Sequence, residues 1–67
     1  MNKINKEMRE SFGKRVRVTC VDGEVLEGEC KYFTPALDNE NGRASIVVIS
    51  GGNIEVFENE IAKIEMI

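Results

Sequence analysis

The sequence predicts an all-β fold with one N-terminal helix, its five short strands curled into a small barrel. Three observations carry this. Residues 16–28 alternate apolar and polar on both sides of Asp22-Gly23. Residues 44–57 form two strand-like runs around Gly51-Gly52. Ile4, Met8 and Phe12 recur at helical spacing ahead of both.

Taken in order, residues 1–12 read as the helix, with Asn2 or Asn5 as cap, Ile4, Met8 and Phe12 as a single stripe, and Gly13 as its left-handed stop. Strand one covers residues 15–21 and strand two residues 24–33. Putting Val16, Val18 and Cys20 on the same face as Leu26, Gly28, Cys30 and Tyr32 requires Val18 opposite Leu26 and Val16 opposite Gly28. A two-residue turn would pair Thr19 with Leu26 and send one apolar set to the wrong side. A three-residue loop of Val21, Asp22 and Gly23, with Gly23 left-handed, satisfies the alternation. Gly28 then permits a bend within strand two. Residues 34–42 are too polar and turn-rich to pair. Strand three, residues 44–50, meets strand four, residues 53–57, across a two-residue Gly51-Gly52 turn. That register sets Ile49 against Ile54 and Val47 against Val56, and leaves Ile46 and Val48, beside Phe57, as a second apolar face. Ala62, Ile64 and Met66 resume the alternation as strand five, so residues 14–67 form the barrel of a single domain spanning residues 1–67.

Sixty-seven residues bury only about 60% of their unfolded surface, so association is an expected source of extra stability. Hydrophobic residues make up 42% and charged residues 31%, without an apolar run of the roughly 20 residues a membrane span requires and without a signal-type N-terminus; the expectation is a cytoplasmic protein with no membrane partner. There both cysteines are reduced, and the register separates them: Cys30 falls opposite Lys14, six residues along from Cys20. The net charge of −3 hides a division. Residues 1–17 hold six basic groups against two acids, and the remainder holds ten acids against three bases. Such a split suits either a nucleic-acid-facing end or complementary surfaces within an assembly.

The segment Gly13-Lys14-Arg15-Val16-Arg17-Val18, followed by Asp22-Gly23, Leu26, Gly28, Cys30 and Phe33, resembles the first motif of the Sm-like (LSM) proteins. Val56-Phe57 and residues 61–67 resemble that family's last two strands. Tyr32, Asp38-Asn39-Glu40 and residues 60–65 are similar to short uncharacterised bacterial and phage members. The resemblance implies a five-stranded Sm-like or SH3-like barrel and head-to-tail pairing of strand four with strand five of the next subunit, giving a ring. It also implies an RNA base pocket, but there this chain departs from the family. Thr34 stands at the aspartate position, Asp38-Asn39 fall in the asparagine region, and Glu58-Asn59-Glu60 replace the Arg-Gly pair, so an acidic triplet sits where phosphate would have to approach.

The remaining candidates divide by chemistry. Lys3, Lys6, Arg9, Lys14, Arg15 and Arg17 are candidate nucleic-acid contacts, since lysine and arginine supply most sequence-independent affinity for a phosphate backbone. Ile46, Val48 and Phe57 are a candidate protein interface, alternatively the floor beneath the helix. Residues 38–42 lack the alternate-position ligands and distal glutamate of a calcium loop. The chain has no histidine, and Ser11, Ser45 and Ser50 have no base beside them, so neither a metal, a cofactor nor catalysis is expected. The expectation is a non-catalytic binding or assembly module whose partner is a protein, often itself. The alternatives are an RNA binder using the basic side, or a phage or mobile-element protein blocking a host factor through its acidic face.

Overall fold

The computed structural model describes residues 3–39 and 41–67. The Asn2 cap, the Lys3 side chain and Glu40 lie outside the described residues, and Asn5 falls within the helix rather than capping it. Helix α1, Lys3–Ser11, precedes strands β1, Arg15–Cys20, β2, Val25–Thr34, β3, Ser45–Ile49, β4, Asn53–Phe57, and β5, Ile61–Met66. All pairings are antiparallel, in the order β4-β3-β2-β1-β5. Among the described residues no helix is long and apolar enough to cross a membrane.

The β1–β2 hairpin has the register that its alternation requires. Val16 faces Gly28 and Val18 faces Leu26. The Cys20 N–H donates to the Glu24 carbonyl at 2.7 Å, and Gly23, at φ +93°, closes the three-residue loop. At Gly28 the backbone of β3 comes so near that a Cβ would stand 1.9 Å from the Ile49 carbonyl oxygen, hence only hydrogen fits. Two residues further on, β2 bulges between Cys30 and Tyr32. The bulge reverses the alternation, which turns Tyr32 out to solvent and brings Phe33 partly inward.

The second hairpin differs from expectation by one residue. Ile49 pairs with Asn53, Val48 with Ile54 and Ile46 with Val56, around a three-residue loop in which the Ser50 N–H donates to the Gly52 carbonyl at 2.9 Å. Cys30 decides this parity: it is buried on the inner face of β2, and Val48, its partner across β2–β3, must share that face. Ile46 and Val48 are therefore core residues with no exposure rather than an interface, and Phe57, opposite Ser45, is half-buried. Burying each of the two contributes about 2 kcal/mol, a large share of a small domain's net stability of roughly 5 kcal/mol, so neither is available to turn outward.

One core joins the sheet to the helix. Met8, Val16, Val18, Leu26, Cys30, Ile46, Val48, Val56, Ile61 and Ile64 form a single buried cluster with Ala44, and Ile4, Cys20, Phe33 and Ile54 pack against it. Since both outer strands contribute, the sheet wraps round the core. It does not, however, close into the expected barrel. After β4 a 3₁₀ turn, Glu58–Glu60, is drawn onto the first hairpin by the Val21 N–H, which donates to the Glu60 carbonyl at 2.8 Å. By Ile61 the chain is already paired with Cys20 of β1. A shift in the β1–β5 pairing between Thr19 and Cys20 then makes Ile61 and Ile64, not Ala62 and Met66, the buried positions of β5.

The helix stripe also differs at its end. Phe12 lies beyond α1 and is 57% exposed, whereas Ser11 is buried, its Oγ donating to the Met8 carbonyl at 2.6 Å and lying 3.4 Å from Cys30 Sγ. Gly13 N–H to Cys30 carbonyl and Cys30 N–H to Lys14 carbonyl, both 2.8 Å, fasten this corner to β2.

Two glycine substitutions separate these constraints. Gly28→Ala places its methyl against the immovable Ile49 backbone and is expected to cost about 3 kcal/mol, read by chemical denaturation. Gly23→Val has open space but an unfavourable φ and is expected to cost about 1–2 kcal/mol. The reverse order would show that the β2–β3 approach is not the tighter of the two.

Candidate binding cleft

Where the sheet stays open, the tip of the β1–β2 hairpin faces β4 across a cleft of about 180 Å³. Leu26, Ile54 and Val56 supply apolar walls, Cys20 and Val21 the hairpin side, and Asp22, Glu24 and Glu60 the acidic side, while Glu55 borders the cleft from β4 with its side chain on the face opposite Ile54 and Val56. Each acidic group has a local reason for its position. Asp22 Oδ1 accepts from the Glu24 N–H at 3.0 Å, which shapes the loop. Glu55 Oε2 accepts from the buried Ser45 Oγ at 2.9 Å, and Ser45 Oγ in turn accepts from Asn39 Nδ2 at 3.2 Å. Glu60 Oε1 accepts from the Phe57 N–H at 3.0 Å, holding the 3₁₀ turn that frames the cleft.

The electrostatics of the two sheet faces differ. On the outer face Arg17, in the middle of β1, bridges Glu27 of β2 and Glu65 of β5, and Lys63 lies 3.6 Å from Glu65. The Glu27 hydrogen bond and charge push the Arg17 guanidinium further up. Around the cleft, by contrast, none of Asp22, Glu24 and Glu60 forms an ion pair among the described residues. In the same turn as Glu60, Glu58 keeps one carboxylate oxygen buried without a hydrogen-bond partner. Burial pushes the Cys20 thiol up, and the charges of Asp22, Glu24 and Glu60 push it in the same direction. Burial likewise raises the Cys30 thiol, against the hydrogen bond from Ser11.

Of the six candidate nucleic-acid contacts, the Lys3 side chain lies outside the described residues and the other five are placed as follows. Lys6 and Arg9 are exposed on α1, Lys14 and Arg15 at the helix–strand corner and the start of β1, and Arg17 is engaged by its two carboxylates. Arg9 also borders an apolar groove of about 350 Å³ formed with Asn5, Phe33, Pro35, Ala36 and Ala44. The structural turns behave as their residues require. Asp22 and Gly23 act as read, Gly28 instead marks where the β3 backbone approaches most closely, with the bulge two residues later, and Gly51 and Gly52 both take positive φ, within a loop one residue longer than expected. Sequence reading missed the cleft because its walls lie up to forty positions apart, from Cys20 to Glu60. The one local hint is the acidic turn Glu58-Asn59-Glu60. No protein-family model matches the chain, and no curated protein or solved structure matches it.

The raised Cys20 thiol gives a direct measurement. At mildly alkaline pH less of it is thiolate than in an unstructured cysteine peptide, so alkylation by iodoacetamide is expected to be slower, and to speed up in Glu24→Gln/Glu60→Gln as the neighbouring charge is removed. Cys30, buried, is expected to react only on unfolding. Equal rates at the two cysteines, followed by mass spectrometry, would contradict the packing of β2.

Proposed function

We propose that this chain is a non-catalytic binding and assembly module of the Sm-like small-barrel kind, acting through protein–protein contact that includes contact with its own copies. The observation that carries the reading is the open sheet: β4 pairs only with β3 and β5 only with β1 among the described residues, so both outer strands keep a row of backbone donors and acceptors on one side. Each such edge is a template for another strand, which a protein either uses or blunts. In Sm-like proteins strand four of one subunit pairs with strand five of the next. The equivalent contact here is head to tail and forms a ring if the rotation closes. Glu55 and Lys63, both exposed on these strands, oppose indiscriminate pairing.

The hydroxyls support a non-catalytic reading. Ser11 Oγ is spent on the Met8 carbonyl and Ser45 Oγ on Glu55, and the chain has no histidine to serve as a base. A second reading, RNA bound along the backbone by the basic side, is favoured by the exposure of Lys6, Lys14 and Arg15. Its signature is affinity falling steeply with salt.

Light scattering across about a hundredfold range of protein concentration tests the assembly reading, since association follows mass action. A mass rising to a discrete multiple of the monomer is expected. A constant monomer mass would end self-association through these edges. Filter binding of single-stranded RNA decides the second reading: a complex surviving charge reversal at Lys3, Lys6, Arg9 and Arg17 would point to a base pocket and away from the basic side.

A further inference from the structure

We infer that the corner where α1 gives way to β1, beside the bulge of β2, is a stacking platform for single-stranded nucleic acid, with bases on the rings of Phe12 and Tyr32 and phosphates on Lys14 and Lys31. The inference rests on the second reading above, nucleic acid bound on the basic side, and narrows it from the helix to this corner.

The backbone brings the four residues together. Gly13 N–H donates to the Cys30 carbonyl and Cys30 N–H to the Lys14 carbonyl, both at 2.8 Å, so the segment Phe12-Gly13-Lys14 runs beside Cys30, with Lys31 and Tyr32 next in line. In the β2–β3 pairing Cys30 meets Val48 and Tyr32 meets Val47. Lys31 is thus the extra residue of the bulge, and two consecutive side chains of β2 are exposed.

Exposed rings are concentrated here. The chain has three phenylalanines, one tyrosine and no tryptophan, and the two rings that are more than half exposed, Phe12 at 57% and Tyr32 at 54%, both belong to this corner. Each is put there by a local departure from regular structure: α1 stops one residue short of Phe12, and the bulge turns Tyr32 outward. Cations accompany them. Lys14 and Lys31 are exposed and neither forms an ion pair among the described residues, while Arg15, also exposed, stands opposite Glu29. At Gly13 the place of a Cβ is empty, so a flat ligand meets bare backbone between Phe12 and Lys14. The carboxylates of the hairpin tip are roughly 16–23 Å away along the strands, beyond the roughly 8 Å over which charge acts in physiological salt.

This mixture selects the ligand. Protein interfaces keep charge out of their centre, whereas rings interleaved with lysines suit a strand whose unpaired bases offer flat faces and whose phosphates are negative. A duplex hides those faces. Neither contact reads the 2′-hydroxyl, so RNA and DNA strands bind alike.

The test uses the whole chain with a short dye-labelled thymidylate strand, its uridylate counterpart, a duplex of equal length and a glutamate peptide, followed by anisotropy. Both single strands are expected to bind, and the duplex and peptide at least tenfold more weakly. Log affinity is expected to fall with log salt at a slope of about −1.4, from two phosphates at about 0.7 each, and the slope to flatten in Lys14→Gln/Lys31→Gln. Phe12→Ala and Tyr32→Ala each weaken binding about tenfold and leave the slope unchanged. Unchanged melting midpoints verify the fold; should Tyr32→Ala melt early, Tyr32→Leu keeps apolar cover over Val47 without a ring. Tyr32→Trp restores the ring, and since the chain has no other tryptophan, quenching of its emission by the bound strand reports stacking at that position. Binding by neither single strand overturns the second reading together with the inference. Binding that ignores the ring variants but is lost on charge reversal at Lys6 overturns the inference alone and keeps nucleic acid on the helix. Equal affinity for the duplex or the peptide identifies general charge attraction and also overturns it.

Discussion

Much of this molecule depends on a single close approach, that of the Ile49 carbonyl to Gly28. The missing side chain lets β3 lie against β2 at a point where any Cβ would collide with backbone. Through that contact β2 passes from pairing with β1 to pairing with β3, so a ten-residue strand serves both halves of the sheet. The bulge after Cys30 completes the change of direction. Without it Tyr32 rather than Phe33 would face the core, and the corner where Gly13, Lys14 and Cys30 exchange hydrogen bonds would not meet the helix at Ser11.

The wrapping of the sheet and its failure to close share a cause. The 3₁₀ turn at Glu58–Glu60 is captured by the first hairpin through Val21, and Ile61 then continues on β1, so β5 belongs to β1 and β4 is left on the far side of the seam. Val56, Ile61 and Ile64 still reach the common core, which is how the outer strands contribute to stability while their edges remain unpaired. The cleft is a product of this arrangement: the hairpin tip and β4 are held near one another by the core, and among the described residues no backbone hydrogen bond joins them.

The first hairpin was legible because polar residues alternate strictly on both sides of Asp22-Gly23, leaving one register consistent with one buried face. The second was not, because Ile46, Val47, Val48 and Ile49 are all apolar and alternation cannot say which two face inward. The answer lies in Cys30, on a different strand. Local irregularities erased the parity elsewhere, at Tyr32 after the β2 bulge and at Ala62 and Met66 where β5 slips against β1. The helix was legible as far as Met8, and Phe12 was lost because the chain turns at Ser11 before that residue can join the stripe. The acidic cleft could not be seen at all as a site. Its carboxylates come from a hairpin loop and a 3₁₀ turn, and only their lack of an ion pair among the described residues, a three-dimensional property, sets them apart from those paired with Arg17.

The segregation of charge along the first hairpin has a kinetic consequence. Lys14 and Arg15 stand at its base and Asp22 and Glu24 at its tip, separated by about five to seven residues of strand, roughly 16–23 Å. Such an arrangement gives the molecule a dipole along the hairpin. An approaching charged partner is turned into alignment before contact, raising the fraction of encounters that succeed, an advantage that shrinks as ionic strength shortens the reach of the field.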